Sequence, residues 1–96
     1  MLQQITVTTK ATVAFKPLLK TALQNEKNLL SYGIRRTQRR LRTFEQQFSM
    51  SSAKFERKFN TRQLDETLDF VDWLMEIKAL SLLQEQYQAL SEARID

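Results

Sequence analysis

Five arginines fall within eight residues, at Arg35, Arg36, Arg39, Arg40 and Arg42. A guanidinium is a planar fork of donors that matches phosphate or carboxylate oxygens two at a time. The cluster is therefore suited to a polyanion or to an acidic protein surface. Four carboxylates could answer it, at Asp65, Asp69, Asp72 and Glu76. Their steps of four, three and four stack them on one helix face. Arg35, Arg39 and Arg42 step by four and three as well. Two helices packed side by side could lay these stripes together, within a chain or across a dimer. Exposed pairs are worth about 0–1 kcal/mol each, so they would set orientation more than stability. Carboxylates on one exposed face seldom converge on an ion, which argues against a hard-metal site.

Beyond these stripes the means for catalysis are sparse. There is no His and no Cys. The usual general base, the thiol nucleophile and the commonest transition-metal ligands are thus absent. A single glycine, Gly33, excludes the glycine-rich phosphate loops. Neither an enzyme nor a cofactor is expected. Net charge is +4, but it is unevenly spread. Residues 1–62 hold 13 Lys/Arg against 3 Glu, and residues 63–96 hold 2 Lys/Arg against 8 Asp/Glu. Such asymmetry points to a polyanionic partner, or to two halves that attract one another. No aromatic alternates with the arginines on the polar face, so a stacking platform for single strands is not indicated.

The elements that must position these groups read as mostly helix. With one Gly and one Pro in 96 residues, the chain has too few turn residues for a sandwich or barrel. Its length suits one helical domain, 1–96. The expected fold is mainly α, a helical hairpin with coiled-coil-like packing. A strand-like arm over 1–13 precedes a long helix over 14–48, a short helix over 52–60 and a C-terminal helix over 64–93. In the arm Ile5, Val7, Thr9, Ala11 and Val13 alternate with Thr6, Thr8, Lys10 and Thr12. That pattern suits a half-buried strand. One strand cannot satisfy its own backbone, so it must pair with a copy of itself, pair with another protein's sheet edge, or stay disordered.

Pro17 fits the first turn of the long helix. Its apolar stripe runs Leu19, Leu23, Leu30, Ile34, Leu41, Phe44 and Phe48. Gly33 marks a kink, a close helix crossing or a break. If continuous from Pro17 to Phe48, this helix is about 48 Å long. A globule of this length has a radius of gyration of about 12–13 Å. The helix would overshoot its own domain, which argues for oligomerisation, with a dimer as first choice. Ser49-Met50-Ser51-Ser52 ends it and offers caps for the next. Asn60 reads as a further N-cap, with Gln63 completing a capping box and Phe59 and Leu64 as a hydrophobic staple. The C-terminal stripe is Phe70, Trp73, Leu74, Ile77, Leu80, Leu83, Tyr87 and Leu90. Phe55, Phe59, Phe70 and Trp73 have two readings: a core, or a partner groove anchored by Trp73.

The stretch from Gly33 to Leu90 reads GIRRTQRRLRTFEQQFSMSSAKFERKFNTRQLDETLDFVDWLMEIKALSLLQEQYQAL. It resembles small bacterial and archaeal proteins that look like the antitoxin halves of toxin–antitoxin gene pairs. The specific parts are Gly33-Ile34-Arg35-Arg36-Thr37, Met50-Ser51 with Phe55, and Leu64 through Trp73. The resemblance extends to the N-terminal strand and the leucine-rich start of the first helix. It implies a binding protein whose partner is a small neighbouring protein, such as an RNA-directed toxin, and it supplies no catalytic set. The chain departs from the pattern after Phe59, where the family is usually acidic and this chain has Asn60-Thr61-Arg62-Gln63.

Three functional readings follow. The first is a non-enzymatic, oligomerising module that binds and neutralises a cognate small protein. Ile5 and Val7 would add a strand to its sheet edge, and Phe55, Phe59, Phe70 and Trp73 would dock. The second is a DNA-binding regulator of ribbon–helix–helix type, with Thr6, Thr8 and Lys10 facing DNA. Nucleic-acid contact could also fall to the Arg cluster. The third is a structural coiled-coil homo-oligomer without a client. No apolar run approaches the roughly 20 residues of a membrane-spanning helix. The N-terminus lacks the apolar core of a signal peptide. A cytoplasmic location without membrane contact is expected.

Overall fold

A computed structural model describes residues 3–5 and 12–95, with side chains from 15 to 93. The chain is mainly helical. Helix α1 spans Thr12–Phe48, α2 spans Ser52–Asn60 and α3 spans Leu68–Glu92. Two three-residue strands, β1 (Gln3–Ile5) and β2 (Ala93–Ile95), pair in parallel with Gln3 opposite Ala93 and Ile5 opposite Ile95. The longer strand expected over 4–13 is not shown. Thr12 and Val13 are already helical. Residues 6–11, Val7 among them, lie outside the described residues.

Helix α1 is continuous through Gly33 for 37 residues, about 55 Å. Gly33 faces α3: a Cβ there would meet Leu83 Cδ1 at 3.5 Å, an ordinary van der Waals contact. Pro17 sits in the second turn rather than the first, where it can donate nothing to the Val13 carbonyl. All seven apolar residues of the α1 stripe are buried or half-buried, as are all eight of the α3 stripe. The two helices run antiparallel. Contacts climb α1 as they descend α3: Lys27 with Tyr87, Gly33 with Leu83, Arg40 with Glu76, Phe44 with Trp73. That register places Glu92 beside residue 24, so the first three turns of α1 run past the end of α3. The described chain is accordingly elongated, 60 × 22 × 18 Å with a radius of gyration of 18.7 Å.

Helix ends are set by local chemistry. Ser49 adopts the left-handed region (φ 51°) and the Met50 N–H donates to the Glu45 carbonyl, closing α1. Ser51 then caps α2 by accepting from the Lys54 N–H at 3.1 Å. The capping box expected at Asn60 does not form. Asn60 is the last residue of α2, and Arg62 takes the left-handed position (φ 59°) that closes it. The Gln63 N–H donates to the Lys58 carbonyl, and its side chain turns to the Thr61 hydroxyl instead of reaching back to Asn60. Helix α3 therefore starts at Leu68, later than residue 64, capped by Thr67 accepting from the Phe70 N–H at 3.1 Å. Phe59 and Leu64 still pack on the core.

Candidate interaction surfaces

The aromatic cluster closes one end of the hairpin. Phe55 and Trp73 are fully buried and stack face to face, with ring centroids 4.0 Å apart and planes 1° from parallel. Phe44 and Phe48 stack on the same indole at 5.6 and 5.7 Å. Phe70 and Phe59 are half-buried and tilt against Phe55. The Trp73 Nε1–H donates to the Ser52 hydroxyl at 2.9 Å, so the buried indole dipole is satisfied. Ser52 is itself fixed by its backbone N–H, which donates to a Glu45 carboxylate oxygen at 2.8 Å. That carboxylate sits at the start of α2, where the helix dipole favours negative charge.

This differs from a docking groove centred on Trp73. In this packing neither Phe55 nor Trp73 offers surface to a partner, and Phe59 and Phe70 offer only part of theirs. The apolar surface that does remain open lies elsewhere. Leu68, Val71, Met75 and Leu82 line the side of α3 turned away from α1 and are between 41 and 85 % exposed. Leu68, Met75 and Leu82 recur every seven residues, and Ala89 continues the row. A helix apolar on two faces is ordinarily buried on both. Here one face is covered. The seven-residue recurrence was present in the sequence but is overshadowed there by the larger Phe70–Leu90 stripe.

The charged stripes meet at one point among the described residues. Arg40 and Glu76 form an ion pair at 3.0 Å. Arg35, Arg36, Arg39 and Arg42 are exposed and make no such pair with a described residue, and the same holds for Asp65, Asp69 and Asp72. The stripes therefore do not zip together along their length. Asp65 precedes α3 and so leaves the helical row, while Asp69 lies in its first turn. Among the described residues no group of three carboxylates is placed to hold a metal ion. On α2, Lys54, Arg57 and Lys58 border an open groove of about 520 Å³ with Asn60, Thr61 and Gln63. At the far end of the hairpin the Lys27 ammonium lies over the Tyr87 ring at 5.5 Å. No described helix is long and apolar enough to cross a membrane. Comparison with protein-family models, curated proteins and solved structures finds no match.

Proposed function

We propose that this chain is a non-enzymatic protein-binding module, antitoxin-like, that oligomerises and neutralises a cognate small protein. One observation carries the reading: the open apolar row Leu68, Val71, Met75 and Leu82 on α3. Large apolar side chains left open at repeated positions along one helix face suit a partner surface, with Lys78 set among them. The resemblance to antitoxin-like chains supports the same class and makes an RNA-directed toxin the expected client. A cytoplasmic setting suits such a client. The docking residues are those of the α3 row, since Phe59 and Phe70 pack against the aromatic core. In the described chain β1 pairs with β2, not with another copy or a partner, so only its other edge is left for strand addition; through that edge the N-terminal arm, with Ile5 and Val7, adds a strand to the client's sheet. Deleting residues 1–13 should then weaken the complex by more than about tenfold, and unchanged affinity in calorimetry would remove the arm from the interface.

A second reading, nucleic-acid binding, is favoured by the exposed Arg35, Arg36, Arg39 and Arg42. Its ribbon–helix–helix form is disfavoured by a first helix of 37 residues. A tagged chain recovered from its host, with and without nuclease, separates the two. A stoichiometric small protein that survives nuclease, and is lost from the Met75→Glu, Leu82→Glu double variant, supports the module. Nucleic acid without such a protein, released steeply between about 50 and 200 mM salt, supports the second reading.

A further inference from the structure

The outer side of α1 carries its own apolar row, separate from the stripe that packs on α3. Phe15, Leu18, Ala22, Asn25, Leu29 and Tyr32 are all exposed. Their steps alternate between three and four residues, the pattern of a coiled-coil seam. Asn25 is the one polar member. At about 100° per residue, this row lies roughly a quarter to a third of a turn round from the buried face. It is therefore not the rim of the core, and α3 does not cover it. It also begins on the first turns of α1, which run past the end of α3.

We infer that this row is a homodimer interface in which two copies of α1 pack antiparallel about a two-fold axis between Leu23 and Gln24. The row is its own complement when reversed. Phe15 meets the partner's Tyr32, Leu18 meets the partner's Leu29, and Ala22 meets the partner's Asn25. An isologous interface requires that self-complementarity. The small Ala22 lets the helices approach at the centre, beside Asn25, the one polar member of the row. Charge selects the direction. Parallel pairing would bring Arg35, Arg36, Arg39 and Arg40 against their own copies. The antiparallel axis holds the two Arg36 positions about 38 Å apart along the helices, several times the screening length of about 8 Å at physiological salt.

This deepens the oligomerisation in the proposed function, but it is read on the purified chain with no client present, so either can fail alone. The chain has no cysteine, so introduced thiols report without background. Leu18→Cys and Leu29→Cys chains are oxidised separately, and again after being unfolded and refolded as an equimolar mixture. Two copies of residue 18 lie about 16 Å apart along this dimer, beyond the roughly 7 Å Cα separation a disulfide tolerates. The expected result is a covalent dimer in the mixture alone, with the unmodified chain sedimenting at twice 11.4 kDa. A charge exchange gives a second reading: Leu18→Glu or Leu29→Lys alone weakens the dimer by more than about tenfold, and the two together restore it by pairing across the axis. A disulfide from either cysteine chain by itself, no disulfide in any sample, a monomeric mass, or no restoration by the double exchange would overturn the inference.

Discussion

The Ser52 hydroxyl and the Trp73 indole show how much rests on one side chain. Trp73 is fully buried and its N–H has the Ser52 hydroxyl as partner. A buried donor left without a partner costs about 1–3 kcal/mol. Ser52→Ala should therefore lower stability by that amount in urea titration, followed by fluorescence of Trp73, the chain's one tryptophan. A variant as stable as the parent would mean the bond contributes nothing. The sequence named Ser52 as part of a capping segment and Trp73 as core or anchor, but it could not join them, because 21 residues separate the pair. The Asn60–Gln63 capping box misled for a related reason. Its spacing is correct, yet Arg62 adopts a left-handed backbone usually left to glycine or asparagine, and no residue type announced it.

Elements were more legible than their ends. The apolar stripes of α1 and α3 follow the helical repeat over many turns, so element type and buried face could be read directly. The start of α3 could not, because Thr67 competes with Asn60 as a cap and only packing decides. Gly33 presented three alternatives, and the unbroken α1 removes the break, with Leu83 in ordinary contact across the helix pair. A Cβ at 3.5 Å from the nearest atom is ordinary van der Waals contact. Gly33→Ala should consequently stabilise the protein by about 0.5–1 kcal/mol through helix propensity and a smaller loss of chain entropy. A higher thermal midpoint is the expected outcome. A lower one would show that the crossing has no room for the methyl group. The outer rows of α1 and α3 were harder to see, since each shares its helix with a longer and more apolar stripe.

At the scale of the molecule, one end of the hairpin is closed by stacked aromatics, and two outward apolar rows remain exposed. The helix overshoot expected from length alone is present in an envelope 60 Å long. The interlocking of basic and acidic stripes is reduced to Arg40 with Glu76, leaving most of the arginines exposed. Half-exposed ion pairs of this sort add about 0–1 kcal/mol, so under the proposed binding role the apolar rows would carry the affinity and the charges would set approach and orientation.

The most direct measurement is the affinity of the purified client protein for the wild-type chain and for Met75→Glu, Leu82→Glu, by calorimetry beside thermal unfolding of each. Burial of one such side chain is worth about 1.5–3 kcal/mol, so two together predict a loss of at least about a hundredfold in affinity. Both residues are exposed in the free chain, so its thermal midpoint should stay where it was. Equal affinity in the two proteins would contradict docking on α3 and return the search to the arginine-bearing surface.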